Sequence, residues 1–197
     1  MPSNTTSSSV ATKTIGLVGA RGYVGVELLE IIESHPMLDL AYASSRSFDG
    51  DPITKHAKAS FNGKRFEEIS PAEIVSRNAD IVILALPDAA AAPFLAAFDA
   101  SGQSPELILD LSSDHRFDDS WTYGLTEHHR DAIKHAKRIS NPGCYATAAQ
   151  LALAPIVDRL AQVPHCFGVS GYSARGPNER VATITGRSRT AYCPTSS

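Results

Sequence analysis

The run Thr14-Ile15-Gly16-Leu17-Val18 is apolar and of strand length, and it passes directly into Gly19-Ala20-Arg21-Gly22-Tyr23-Val24-Gly25. A segment at helical spacing follows from Val26 to Glu33, with Leu28, Leu29 and Ile32 on one face, and His35-Pro36 ends it. Leu38 to Ala43 reads as a second strand. Strand, glycine turn, helix and strand within ~30 residues make a βαβ unit, which commits the chain to a parallel sheet with covering helices. The glycines suit a dinucleotide: one lets the strand turn, one lets backbone approach a pyrophosphate, and one lets helix pack on strand. The phosphates then sit on the helix N-terminus, in reach of Gly19, Ala20, Arg21, Gly22, Tyr23 and Val24. The spacing is G-x-x-G-x-x-G, and a plain tight turn is the competing reading.

The end of the second strand selects the cofactor. An enzyme that uses NAD usually carries Asp or Glu there to hold the ribose 2′-hydroxyl, and this chain carries Ser44-Ser45-Arg46. Two hydroxyls and a guanidinium suit a 2′-phosphate, so NADP(H) is expected, against a polar loop with a solvated Arg. The continuous apolar run from Ile81 to Leu86 is a strand buried on both faces. Leu86-Pro87 ends it on the sheet edge where a doubly wound fold binds its ligand.

Between these runs, Phe48 to Ser70 is turn-rich, and Asn62-Gly63 reads as the turn of a short hairpin. His56 has no partner spacing and is read as a surface residue. Pro71 to Asn78 suits a helix capped by Ser70, and Ala89 to Ala100 a second one closed by Ser101-Gly102. Leu107 to Leu111 is the next buried strand, and Ser112-Ser113-Asp114-His115-Arg116-Phe117 follows at its C-terminal edge. Arg116 there clamps a substrate carboxylate or phosphate, or pairs with Asp114 on the surface. The helix expected over Thr126 to Lys137 carries His128, His129 and His135 without metal-site spacing, so these are read as a solvated face and no metal is expected.

Asn141-Pro142-Gly143-Cys144-Tyr145-Ala146-Thr147 joins the strand-like Arg138-Ile139-Ser140 to a helical run from Ala146 to Leu160. Pro142 and Gly143 make the turn, which puts Cys144 beside amide groups without intrahelical partners, where the helix dipole favours a thiolate. Two readings stand: an activated nucleophile, or a small residue buried under a turn. A formal charge of −3 over 197 residues gives no basic face for nucleic acid. No apolar run approaches the ~20 residues of a membrane span. Three cysteines without paired spacing fit a reducing, cytoplasmic compartment.

Several stretches together resemble one family, N-acetyl-gamma-glutamyl-phosphate reductase of arginine biosynthesis. They are Gly19 to Gly25, Ser44 to Ser47, Ala85-Leu86-Pro87, Asp110 to Phe117, Tyr123 to Glu127, Asn141 to Thr147 and Gly168 to Ser173. The resemblance implies an α/β fold, a doubly wound, mostly parallel, Rossmann-like sheet, followed by the incomplete start of an α+β catalytic domain. It implies Cys144 as nucleophile on a small-molecule acyl phosphate, with Ser113, Arg116 and Asn141 at the substrate. A thioester forms, and hydride from NADPH reduces it to the aldehyde. A homo-oligomer is implied as well. Related aspartate-semialdehyde dehydrogenases share the architecture and give one alternative; a non-catalytic NADP-binding fragment gives another.

The expected organisation is a disordered leader over 1–13, a nucleotide-binding domain over 14–145, the start of a catalytic domain over 146–173, and an aberrant tail over 174–197. The family carries a second domain with a general acid/base His after the Cys helix, whereas about 50 residues follow Cys144 here. His165 precedes the strand-like Cys166 to Ser170 and does not match that His. After Ser173 the resemblance stops, and four Arg with one Glu occupy the remainder. On this reading the tail is an out-of-frame or truncated ending, catalysis is weak or absent, and the strand near Phe167 to Ser170 leaves an exposed edge that promotes association.

Overall fold

The computed structural model describes residues 12–168. Its seven strands are β1 (Lys13–Val18), β2 (Leu38–Ser44), β3 (Phe66–Glu67), β4 (Ile81–Leu84), β5 (Leu107–Asp110), β6 (Thr122–Tyr123) and β7 (Arg138–Ser140). They form one sheet in the order β3-β2-β1-β4-β5-β7-β6, and every pairing is parallel. Five α-helices accompany it: α1 (Tyr23–Ser34), α2 (Pro71–Ile74), α3 (Ala92–Ser101), α4 (Thr126–His135) and α5 (Cys144–Leu153). From β1 the chain winds outward through β2 and β3, then returns to β4 and winds the other way. The gap between the ends of β1 and β4 is therefore the switch point at which a doubly wound sheet opens a crevice.

The doubly wound, Rossmann-like class expected from the βαβ signature is the one observed. Neighbouring residues of the central strands divide between two apolar clusters, Leu17 and Ile83 in one, Val18 and Leu84 in the other. That division explains why β1 and β4 read as unbroken apolar runs. In α1 the buried positions are Gly25, Leu29 and Ile32, spaced to face the sheet, with Leu28 half-buried beside them.

Several boundaries differ from the expectation. Lys13, assigned to the leader, opens β1: its N–H donates to Met37 O at 2.9 Å. The helix expected over Pro71 to Asn78 stops at Ile74, although Ser70 caps it reciprocally with Glu73 as a capping box. The helix expected from Ala89 begins at Ala92, because Ala89 takes a left-handed φ of 64°. The run expected to continue to Leu160 breaks after Leu153, where Pro155 cannot supply a helical N–H, and a separate 3-10 turn covers Val157–Arg159. The hairpin at Asn62-Gly63 is absent. Both residues adopt positive φ, as such a turn requires, but the strand that follows pairs in parallel with β2, leaving one antiparallel bridge between Pro52 and Arg65. His56 is not a free surface residue; its ring stacks on Phe48 at 3.7 Å and its Nε2 meets Asp51 at 2.8 Å. Cys166 to Gly168 form no strand. The expectations for the leader before residue 12, the strand beyond Gly168 and the tail lie outside the described residues.

Candidate functional site

A cleft of about 990 Å³ opens at the C-terminal edge of the sheet, over the switch between β1 and β4. Gly19, Arg21, Gly22, Tyr23 and Val24 of the glycine turn line it, with Ser44, Ser45 and Arg46 after β2 and Leu86 and Pro87 after β4. Ala20, grouped with them from the sequence, is not at the surface: it is fully buried, and its N–H donates to Ser44 O at 3.0 Å. It fixes the turn to β2 and does not line the cleft.

The glycines divide the work unequally. Gly19 has a φ of +85°, and a side chain there would run into the Ala85 carbonyl. A Cβ on Gly25 would come within 2.7 Å of the Ala20 backbone, so Gly25 is what lets α1 lie against the turn. Gly22, the N-cap of α1, meets nothing within 4 Å and leaves space above the helix end. No side chain caps α1 and no acidic residue stands in its first turn. Its first amides and the positive end of its dipole therefore open on the cleft uncompensated. The donor set and the open space fit a dinucleotide pyrophosphate.

The polar side of the cleft holds two guanidinium groups. Arg21 Nη1 donates to Ser47 Oγ at 2.9 Å, and Arg46 Nε donates to Glu68 Oε1 at 2.9 Å. The serine pair is less available than expected. Both hydroxyl residues are buried, and Ser45 Oγ accepts from Phe48 N at 3.3 Å. Sequence reasoning missed Glu68, which also lines the cleft. Its place depends on β3 pairing with β2, and a two-residue strand leaves no periodic signal.

Two reciprocal latches join the loops after β4 and β5. Ala89 N donates to Asp114 Oδ2 at 2.7 Å, and Ser113 N donates to Asp88 Oδ1 at 2.9 Å. The bond from the Ser113 backbone, aided by its hydroxyl and by the Arg116 charge, holds the Asp88 carboxyl below its ordinary value. At the end of β5 the fully buried Asp110 accepts from Ser112 Oγ at 2.6 Å. The surface pair between Asp114 and Arg116 does not form. Arg116 instead donates from Nε to Asn141 O at 3.0 Å and from Nη2 to Leu111 O at 3.3 Å.

Those bonds place Arg116 under the turn that carries Cys144. A Cβ on Gly143 would lie 2.8 Å from Arg116 Nη1, so Gly143 admits the guanidinium. Asn141 N donates to Asp110 O at 2.8 Å, and its side-chain amide folds back to Pro142 O at 3.1 Å. Gly143 caps α5 without a side-chain bond, and Cys144 is the first helical residue, exposed to solvent. It is not the buried residue of the alternative reading. Ser113, Arg116, Asn141 and Cys144 lie outside the lining of the nucleotide-sized cleft, and the connection runs through Leu111, which lines it and accepts from Arg116. Among the described residues no three His, Cys, Asp or Glu side chains converge on a metal-sized site, and no helix is long and apolar enough to cross a membrane.

Residues 14–136 match the family model described as semialdehyde dehydrogenase, NAD binding domain. A protein of Xylella fastidiosa (strain M23) named N-acetyl-gamma-glutamyl-phosphate reductase is 52% identical over 168 residues, covering 85% of this chain and 51% of that protein. A protein of the same name from Xanthomonas euvesicatoria pv. vesicatoria is 50% identical over 168 residues, covering 85% and 53%. The chain thus spans about half the length of the curated relatives it matches. Among solved structures, the aspartate semialdehyde dehydrogenase of Francisella tularensis superposes with a TM-score of 0.57 at 19% identity, over 75% of this chain and 41% of that one. The Candida albicans enzyme, solved with NADP, gives 0.56 at 16% identity, over 76% and 48%. At these identities the structures speak for the fold.

Proposed function

The chain belongs to the semialdehyde dehydrogenase NAD-binding domain family, and from that membership we propose that it carries the NADPH cleft and the acyl-accepting cysteine of an N-acetyl-gamma-glutamyl-phosphate reductase. The observation that carries this reading is the pair of uncapped helix starts on one sheet edge. One, at Gly22, opens into the cleft; the other presents Cys144 to solvent. The half-length identity to reductases of that name supports the acyl phosphate as substrate. A reducing cytoplasm suits an exposed thiol.

The first-turn amides of α1 receive the pyrophosphate, and Arg21 and Arg46 supply positive charge for a 2′-phosphate. NADPH, when bound, supplies hydride for reduction at the acyl carbon. Cys144 Sγ, its proton passed to solvent, attacks the carbonyl carbon of the acyl phosphate; the C–S bond forms, the bond between that carbon and the bridging oxygen breaks, and phosphate leaves with the bonding pair. Amide groups of the first turn of α5 stabilise the negative charge that builds on the carbonyl oxygen. Asn141, exposed in that turn, and Ser113, exposed in the loop after β5, orient the substrate. Arg116 ties the turn, through Asn141 O, to the end of β5, through Leu111 O, and keeps Nη1 for an anionic group.

Calorimetric titration of NADPH into the purified chain tests the cofactor half of this reading. Saturable one-to-one binding, tighter than that of NADH, is expected. Absence of saturable heat at millimolar nucleotide contradicts it.

A further inference from the structure

Arg46 does not stand alone at the cleft. Its Nε–H donates to Glu68 Oε1 at 2.9 Å, both residues line the cleft, and their side chains are 88% and 53% exposed. Parallel pairing brings Glu68 there: Ser44 lies opposite Glu67, so the residue after β3 stands beside the residues after β2. The backbone around it is fixed at both ends. Ser45 N donates to Glu67 O at 2.9 Å, and Glu68 N donates to Asp49 Oδ1 at 2.8 Å. Thus the end of β2 lacks an acidic residue, and the neighbouring strand returns one to the same wall of the cleft.

The chemistry of that pair cuts against a phosphorylated ribose. A 2′-phosphate competes with Glu68 for the guanidinium and is repelled by its carboxylate, whereas a ribose 2′-hydroxyl can donate to that carboxylate. An exposed ion pair is weak enough to be displaced, so the competition tunes affinity without preventing binding. We propose that Glu68 is a specificity-setting residue, which competes with the 2′-phosphate for Arg46 and lowers the preference of the cleft for phosphorylated over unphosphorylated nucleotide. This rests on the nucleotide reading given above.

Equilibrium titration of NADP+ and NAD+ into the full chain tests it, with Glu68→Gln, Glu68→Ala, Arg46→Gln and the Arg46→Gln/Glu68→Gln double variant, each verified as folded by circular dichroism. Glu68→Gln and Glu68→Ala raise the ratio of NADP+ to NAD+ affinity by about 3- to 10-fold, the size of a weak exposed charge effect. The gain is smaller in the Arg46→Gln background, because the competed-for group is gone and only the repulsion and the hydroxyl contact remain to be lost. It also declines as salt is added. An unchanged or lowered ratio in both Glu68 variants, or the same gain without Arg46, overturns the proposal while leaving the nucleotide reading intact. Failure of every folded variant, wild type included, to bind either nucleotide refutes that reading and this inference together.

Discussion

Gly22 and Gly25 stand one helical turn apart and lack side chains for opposite reasons. At Gly25 a methyl group would strike the Ala20 backbone, so the residue serves packing; at Gly22 there is nothing to strike. Gly22 also has an ordinary extended backbone, φ −66° and ψ 162°, that any residue adopts. An acidic residue there would cap α1 and place a negative charge where the pyrophosphate is proposed to sit. Gly22→Asp is therefore expected to hold or raise the thermal midpoint while weakening NADPH at least ~10-fold, or ~1.4 kcal/mol. Circular dichroism melts and calorimetry read the two effects; unimpaired binding contradicts the account. The G-x-x-G-x-x-G spacing is legible in the sequence, whereas this division of roles is not, because it depends on which backbone lies across from each Cα. The same holds for His56, whose stacking on Phe48 is a tertiary contact that spacing does not encode.

Acidic side chains stitch the elements by accepting backbone N–H bonds. Asp80, before β4, accepts from Thr14 N of β1 at 2.7 Å; Glu33, in α1, accepts from Phe61 N at 3.0 Å and Ser60 N at 2.6 Å; Asp88 accepts from Ser113 N at 2.9 Å. These bonds, foremost those from Thr14, Phe61 and Ser113, hold the three carboxyls below their ordinary values of 3.8, 4.5 and 3.8. A group depressed by folding stabilises fully above its unfolded value and loses that contribution as pH falls through the folded one. The thermal midpoint is accordingly expected to stay level from about pH 7 to about pH 5 and to drop below about pH 4. Asp80→Asn should flatten part of that acid limb. Tyr42 acts at the other end: burial pushes its phenol from 10.0 up to about 12, so folding favours the neutral form and stability falls as pH rises across that window. A melting curve without an acid limb contradicts the role given to these bonds. At this scale the strands were the most legible elements, since burial on both faces leaves β1 and β4 as apolar runs. Asn62-Gly63 carries the φ values of a hairpin turn without forming one, because turn chemistry records the local φ values and not which strand the chain then joins.

In the molecule as a whole, strand order brings the two halves of the candidate site to one edge. The nucleotide-sized cleft lies over the ends of β1 and β4, and β5 separates β4 from β7, whose end leads to Cys144. Arg116 spans this separation, bonded to Leu111 at the cleft and to Asn141 at the cysteine turn. The sequence carried both motifs but not the bridge, which required knowing that the loops after β5 and β7 meet. Cys166 provides an internal comparison, being a second exposed cysteine that follows no strand end and starts no helix. The central claim is that the placement of Cys144, and not the mere presence of a thiol, makes it an acyl acceptor. Peptide mapping by mass spectrometry after brief mixing of the chain with N-acetyl-gamma-glutamyl phosphate measures this most directly. The account predicts one N-acetylglutamyl group on Cys144, an unmodified Cys166, phosphate released in equal amount, and no adduct in a folded Cys144→Ser chain that still binds NADPH. An unmodified Cys144, or acyl groups shared equally between Cys144 and another of the three cysteines, contradicts it.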